Sequence, residues 1–192
     1  MREGRLVLDA PISRYLGAEP WFTRLPNARF TTVRHLMNHT SGLVRYELQP
    51  RFLAALRANP DTTWTAATRL AFLLDSLAPF AAGTGFYYSD SNYIVLGMIL
   101  ERVMGRDAYA EIRRRITEPL GLARTTPSDR RVIPGLAQGY AGANNSFIDA
   151  DAMILPDGRF AVNPQFEWAG GGYATSAEDL ARWTKHLYEG RV

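Results

Sequence analysis

Apolar positions recur every three to four residues over roughly the first two thirds of the chain, the spacing that places them on one face of a helix. The pattern predicts several helices, which run from a Thr31-Thr32 cap to Met37, from Phe52 to Ala58, from Trp64 to Leu77, from Ser91 to Met104, and onward from a cap at Asp107. The stretch between about residues 10 and 135 is therefore expected to be mainly helical.

The segment Ser91–Met104 is the most hydrophobic of these predicted helices. Its apolar residues surround the helix on nearly all sides, which is typical of a buried helix rather than of an amphipathic one on the surface. Gly105 is a natural end for it, because glycine adopts the left-handed conformation that closes many helices.

From Leu136 the pattern changes to short apolar runs between turns. Residues 153–155 and 160–162 are predicted to form a β-hairpin around Pro156-Asp157-Gly158. Thr175 and Glu178 have the spacing of a capping box, which would begin a last helix that stops near Gly190. We therefore expect one domain over 1–192, whose part from about 136 to 192 holds a hairpin and returns toward a sheet.

Composition narrows the function classes. The 192 residues carry a net charge of +3 that is spread along the chain, so no nucleic-acid partner is expected. Cysteine is absent, which excludes thiol catalysis and cysteine-bound zinc. No apolar run approaches the ~20 residues of a membrane helix. No signal peptide is visible behind Met1, and the compartment stays undetermined.

Tyr88-Ser89-Asp90 lies immediately before the most hydrophobic predicted helix. A tyrosine held there could take part in proton transfer if cations and hydrogen bonds lowered its pKa far below ~10. The triplet alone has a simpler explanation, a packed ring followed by a helix cap at Asp90 or Ser91.

His35 and His39 are four residues apart, a spacing that would place both imidazoles on one helical face. The glutamate of the zinc-protease motif is missing and no third ligand is apparent, so no metal site is expected. Ser41 lacks the glycine that precedes a serine nucleophile in Gly-x-Ser-x-Gly, and a turn hydroxyl is the expected role.

Read together, these segments resemble the β-lactamase-related serine hydrolases, the family of class C β-lactamases, DD-carboxypeptidases and related esterases. The similar stretches follow the family order from Glu3-Gly4-Arg5-Leu6 through 35–43, 83–93, 118–125 and 169–183. The resemblance implies an α/β (α+β) fold of the β-lactamase/DD-peptidase type, here mostly its helical subdomain with part of the sheet domain.

The same resemblance implies the site. Tyr88 would be the catalytic tyrosine, with Asp90 at the position of a family asparagine. Ser89 would bind substrate. Gly171 and Gly172 would line the substrate cleft, with a role in packing alone as the alternative. The substrate would be a small-molecule or peptide acyl compound, with no metal and no cofactor. Relatives of this kind are often periplasmic or attached to the cell envelope.

Two departures from the family pattern stand out. No Ser-x-x-Lys occurs, since Lys185 is the only lysine and Arg182 stands three residues before it. We therefore expect a domain incomplete at both ends and inactive alone, or else a non-catalytic binding or scaffolding protein that kept the fold. Asp90 replaces an amide that both donates and accepts with a group that, when ionised, only accepts. This favours ester or peptide substrates over β-lactams.

Overall fold

The computed structural model describes residues 4–142, 145–148 and 150–191, so that Glu3 of the N-terminal similarity lies outside it. Within these residues seven α-helices and one pair of short strands form in chain order. They are α1 Ser13–Leu16, α2 Val33–Met37, α3 Pro50–Ala58, α4 Ala66–Leu70, α5 Asp90–Met104, α6 Ala108–Ile112, β1 Thr126–Pro127, β2 Tyr173–Ala174 and α7 Ala177–Tyr188.

Helix α5 is the central element of the fold. Helices α1, α2, α4 and α6 and the turn Trp168–Gly170 all pack against it. Its residues Ile94, Val95 and Ile99 are at most 1% exposed and belong to the main hydrophobic core. The extended core reaches an aromatic group in which the rings of Tyr46, Phe52, Trp64, Phe72 and Phe166 lie within contact of one another.

Local capping fixes the helix ends that the sequence predicted best. The Thr32 side chain accepts from the His35 N–H at the start of α2. Asp107 accepts from the Ala110 N–H at the start of α6. Gly105 ends α5 with a φ of 67°, where a side chain would be strained. The predictions at these three positions are confirmed.

Helix α4 is much shorter than the predicted Trp64–Leu77. Around Leu70 two backbone hydrogen bonds span three residues instead of four. The Phe72 N–H donates to the Arg69 carbonyl, and the Leu73 N–H donates to the Leu70 carbonyl. The chain then turns at Asp75, whose φ is 61°. Contacts with a distant residue hold this turn, because the Asp75 N–H donates to the Arg24 carbonyl and its carboxylate pairs with the Arg24 guanidinium at 2.7 Å. Tertiary contacts here override helical periodicity.

The last third differs from the predictions in detail. The N-cap of α7 is Ser176, which accepts from the Asp179 N–H, so the predicted Thr175–Glu178 capping box was wrong by one residue. The hairpin forms with a single bridge between Ile154 and Phe160 rather than as a regular ladder. The sheet is the antiparallel pair β1–β2, in which Thr126 faces Ala174.

Gly97 allows a close approach to the middle of α5. A Cβ atom there would lie 2.7 Å from the Trp168 ring and 2.8 Å from the Ala169 side chain. The indole of Trp168 thus rests directly on the helix backbone and brings the glycine segment 170–172 to the start of α5. No described helix is long and apolar enough to span a bilayer.

Candidate active site

Tyr88 stands on the turn that leads into α5, and its side chain is 49% exposed. The next residue, Ser89, is fully buried: its N–H donates to His39 Nδ1 at 3.3 Å and its hydroxyl to the Val44 carbonyl at 3.1 Å. The backbone is therefore anchored in the core directly beside an open phenol. The Ser89 hydroxyl is thus occupied by a backbone carbonyl. The substrate-binding role suggested for Ser89 stays a prediction.

His39 supports the tyrosine turn from below. Its ring lies 4.5 Å from the Tyr88 ring, and its Nδ1 is 3.1 Å from the Asn92 side-chain nitrogen. Asn92 also accepts from the Ser41 hydroxyl at 2.5 Å, and that hydroxyl accepts from the Leu43 N–H. The turn role predicted for Ser41 is confirmed, and His39 links the turn at Ser89 to Asn92 of α5.

The two histidines do not share a helical face. Helix α2 ends at Met37, and His39 follows with a φ of 59°. His35 Nδ1 accepts from the Thr32 N–H at 3.3 Å, within the capping interaction of α2. Among the described residues no group of three histidine, cysteine or acidic side chains is arranged to hold a metal ion.

The charges around Tyr88 favour its neutral form. A hydrogen bond to the Asp90 carboxylate is the largest cause that raises the pKa of Tyr88, and burial and the charge of Asp90 add to it. The guanidinium of Arg45 lies 5.5 Å from the centre of the Tyr88 ring and acts in the opposite direction. Asp90 thus opposes the tyrosinate, as its negative charge predicts.

Glu47 is an acidic residue at this site that no sequence motif indicated. It is 2% exposed, and its Oε1 accepts from Arg45 Nε at 2.5 Å. Burial is the largest cause that raises the pKa of Glu47 to about 7, with the charge of Asp90 acting in the same direction. Arg45 and Glu47 therefore join Tyr88 and Asp90 through charge, although neither belongs to a recognisable motif.

The glycines 170–172 pass close to the same place. A Cβ atom at Gly170 would lie 3.1 Å from the Asp90 Cβ. The Gly172 N–H donates to Glu167 at 3.4 Å, and the φ of Gly172 is 60°. Gly171 is exposed and lines a groove beside α5. The segment is thus near Asp90, and its contact with substrate stays a prediction.

An open apolar groove of about 280 Å³ runs along α5. Aliphatic and aromatic side chains dominate its lining, which includes Tyr93, Leu96, Gly97, Leu100, Tyr109 and Trp168. Tyr88 is not enclosed in the core. It is exposed at the start of α5, the helix that forms the groove.

The family model described as Beta-lactamase matches residues 1–192. The chain belongs to the β-lactamase family. It has the fold of β-lactamases and transpeptidases, as the resemblance implied, and its relatives include serine hydrolases that act as esterases, amidases and peptidases.

Individual relatives give the extent of the similarity. Penicillin-binding protein 4* of Bacillus subtilis is 26% identical over 97% of this chain and 40% of its own length. The crystal structure of a D-stereospecific amidohydrolase from Streptomyces sp. superposes with a TM-score of 0.85, at 28% identity over 99% of this chain and 56% of that one. For D-amino acid amidase from Ochrobactrum anthropi SV3 in complex with D-phenylalanine, the TM-score is 0.76, at 26% identity over 100% and 52%. The β-lactamase-family chain thus spans about half the length of these relatives.

Proposed function

We propose that these residues form the tyrosine-bearing half of a serine acyl hydrolase. The observation that carries the proposal is the exposed phenol of Tyr88, held rigidly by a buried polar network beside an open groove. A rigid, solvent-facing tyrosine next to charged groups is suited to proton transfer, whereas a purely structural tyrosine would be better stabilised by burial.

The attacking serine would come from outside the 192 residues, since no Ser-x-x-Lys occurs within them. The apolar groove along α5 is a suitable seat for the element that bears it. Docking there would bury the exposed side of Tyr93 together with Leu96 and Leu100. It would also bring a serine toward the Tyr88 hydroxyl.

In the proposed reaction the serine oxygen attacks the acyl carbon and its proton passes to a neighbouring base. The leaving group departs with a proton, and water then hydrolyses the acyl-serine ester. Tyr88 would relay these protons as a neutral phenol whose pKa is raised by the Asp90 carboxylate. A cation supplied with the serine would be needed for Tyr88 to act as the base, because Asp90 raises the pKa of Tyr88.

For the substrate we propose D-configured amino-acyl amides or esters rather than β-lactams. Two of the similar solved structures are a D-stereospecific amidohydrolase and a D-amino acid amidase. Asp90, when ionised, offers no N–H to a carbonyl of the substrate. An acylamino group, as in β-lactams, would therefore lose a hydrogen bond that an asparagine could donate.

The experiment that tests the hydrolase is covalent labelling of the full-length protein with a fluorescent fluorophosphonate, followed by mapping of the labelled peptide. We expect one labelled serine outside these residues, and no labelling after that serine is replaced by alanine. A protein that folds but resists the probe would instead favour the rival function, a binding or scaffolding protein that retained the fold without a nucleophile.

The substrate preference is tested separately by Asp90→Asn in the full-length protein. Restoring an amide should raise turnover of the β-lactam nitrocefin relative to turnover of a p-nitrophenyl ester. We expect the ratio to rise about tenfold, the effect of one hydrogen bond gained in the transition state. An unchanged ratio would remove Asp90 from the account of specificity.

A further inference from the structure

Arg69 is a buried cation whose hydrogen bonds go to neutral groups. The residue is 1% exposed and lies on the short helix α4. Its Nε donates to the Phe166 carbonyl and its Nη2 to the Gln165 carbonyl, both at 2.6 Å. A guanidinium keeps its charge, and burying a charge against neutral acceptors is costly. Because an apolar side chain would fill the same position at lower cost, packing alone does not account for Arg69.

The segment that Arg69 holds is 165–168, which comes directly before the glycine segment 170–172. The Tyr46 hydroxyl donates to the same Phe166 carbonyl. The guanidinium carbon of Arg69 also lies 5.5 Å from the centre of a Trp168 ring, which is a cation–π contact. One side chain thus fixes two successive carbonyls and the indole that follows them to α4.

The backbone at Trp168 is strained. Its φ is 40°, on the left-handed side that a bulky residue rarely adopts. Such a conformation persists only where its surroundings hold it, and it is often found beside functional sites. The indole here is held between the Arg69 guanidinium and the α5 backbone at Gly97. Without Arg69 the backbone at Trp168 would be free to relax.

The strained residue determines where the glycine segment lies. The Gly170 N–H donates to the Glu167 carbonyl at 2.7 Å, which closes a turn around Trp168. The Cα atoms of Trp168 and Gly170 are at most ~7.6 Å apart, because two peptide units join them. A Cβ atom at Gly170 would lie only 3.1 Å from the Asp90 Cβ. A relaxation at Trp168 would therefore move the backbone that faces Asp90.

We propose that Arg69 is a positioning residue, which holds Trp168 in its strained conformation and so keeps the glycine segment 170–172 against Asp90 as a wall of the substrate cleft. This inference rests on the proposed hydrolase function and adds a cause for its stereospecificity. Arg69 itself contacts no substrate. It acts through the position of the wall, which decides how well each enantiomer of an acyl group fits beside the scissile carbonyl.

The test uses D-alanine p-nitroanilide and L-alanine p-nitroanilide as substrates of the full-length protein. The quantity measured is the ratio of their kcat/KM values, D over L. Both substrates have the same atoms and leaving group, so a loss of folded enzyme cancels in the ratio. Arg69→Lys keeps the charge but loses the planar fork that reaches two successive carbonyls. We expect the ratio to fall about tenfold in this variant, because a displaced wall distinguishes the enantiomers less well.

Two further variants separate positioning from stability. Tyr46→Phe removes the other donor to the Phe166 carbonyl and should lower the ratio about threefold, also if the lysine variant fails to fold. Phe72→Leu is the control. It removes a ring that packs edge-on against Phe52 in the same aromatic group, and this ring offers no donor to 165–168. The ratio in the control should stay within about twofold of the wild type.

Hydrogen–deuterium exchange of the same samples gives a readout that does not need turnover. Arg69→Lys should speed exchange of the Gly170 and Gly172 N–H groups and leave that of helix α7 unchanged. Exchange that rises equally in both places would mean general destabilisation and would overturn the inference.

The kinetic results can overturn it as well. An unchanged ratio in Arg69→Lys and Tyr46→Phe would show that the wall does not depend on these donors. An equal fall in Phe72→Leu would show that any loosening of the aromatic group is sufficient. A wild type that cleaves both enantiomers equally would contradict the role in stereospecificity. If the wild type cleaves neither, the hydrolase proposal fails, and the exchange still decides whether Arg69 holds the glycine segment.

Discussion

The two sides of α5 are both apolar in sequence, but one side packs in the core and the other lines an open groove. On one side Ile94, Val95 and Ile99 are sealed in the core. On the other side Leu96 and Leu100 line an open groove, and Tyr93 is 37% exposed. The closed side holds the fold together, whereas the open side ends at Tyr88 and Asp90. Hydrophobicity therefore identifies a surface that needs a partner without telling whether that partner is present.

The polar groups divide in the same way. Beneath the turn, the side chains of His39, Ser41 and Asn92 bind one another and the nearby backbone. Above it, the phenol of Tyr88 is exposed and Glu47 keeps an unpaired oxygen. Satisfied groups stabilise structure, whereas the exposed phenol of Tyr88 can be reached from solvent. Substitutions on the two sides should accordingly separate loss of stability from loss of activity.

The largest expected effect is on the open side. In the full-length protein, Tyr88→Phe should lower kcat/KM for D-alanine p-nitroanilide by about 10²–10⁴-fold, the usual range for a group that transfers protons. Because Tyr88 is about half exposed, the melting temperature should change little. Calorimetry and steady-state kinetics on the same sample check both statements. A loss of activity that follows a loss of folded protein would contradict the separation of the two sides.

On the closed side the effect should fall on stability. Ile99→Ala in the 192-residue chain should lower the free energy of unfolding by about 2–5 kcal/mol, since it leaves a cavity in a sealed core. The matched change Leu100→Ala, one residue along the same helix but in the groove, should cost less than about 1.5 kcal/mol. Urea unfolding measures both. Equal losses in the free energy of unfolding would show that the groove side of α5 is as well packed in solution as the core side.

Glu47 belongs to neither side of this comparison, and its contribution to stability should depend on pH. Its pKa is raised to about 7 in the folded protein, so the folded state keeps a proton that the unfolded chain loses near its ordinary value of 4.5. The stabilisation is fully present below about pH 4.5 and is lost as pH rises through about 7. Relative to Glu47→Gln, the wild type should therefore lose up to a few kcal/mol between about pH 5 and about pH 8. Urea unfolding at both values measures the difference, and parallel pH profiles would place Glu47 in contact with water.

The smallest effect concerns the close approach at Gly97. Gly97→Ala should destabilise the chain by about 1–3 kcal/mol, because its methyl group would press on the Trp168 ring and move the glycine segment off the start of α5. Gly139→Ala is the control, since a Cβ there would meet only the flexible Met153 side chain at ordinary contact distance. Thermal unfolding of the two variants gives the comparison, and a neutral Gly97→Ala would mean that the indole can yield.

What the sequence could predict depended on how local the cause was. Thr32, Gly105 and Asp107 mark helix ends because each acts on a backbone group within a few residues. The length of α4 escaped prediction because it is set by Arg24, 51 residues from Asp75 in the chain. The start of α7 was misplaced by one residue because two adjacent hydroxyl residues, Thr175 and Ser176, can each cap a helix.

Prediction of the candidate site also depended on how local the cause was. Tyr88 and Asp90 could be selected because they stand in a recognisable order of segments before a strongly hydrophobic helix. Arg45 and Glu47 could not, because nothing in their own neighbourhood distinguishes a buried carboxylate from a solvated one. Their importance arises from the packing of α5 against the preceding loop, which brings Val44 and Tyr46 onto Ser89 and Ser91.

The close approach of Trp168 to Gly97 also makes this region measurable by fluorescence. Trp168 rests on the α5 backbone, lies under the Arg69 guanidinium at 5.5 Å and contributes to the lining of the groove. Its fluorescence should therefore depend on whether the glycine segment 170–172 packs against α5. The other tryptophans can be replaced by phenylalanine so that the emission comes from Trp168 alone. Emission from this one ring would then report whether residues 170–172 pack against α5, without an attached dye.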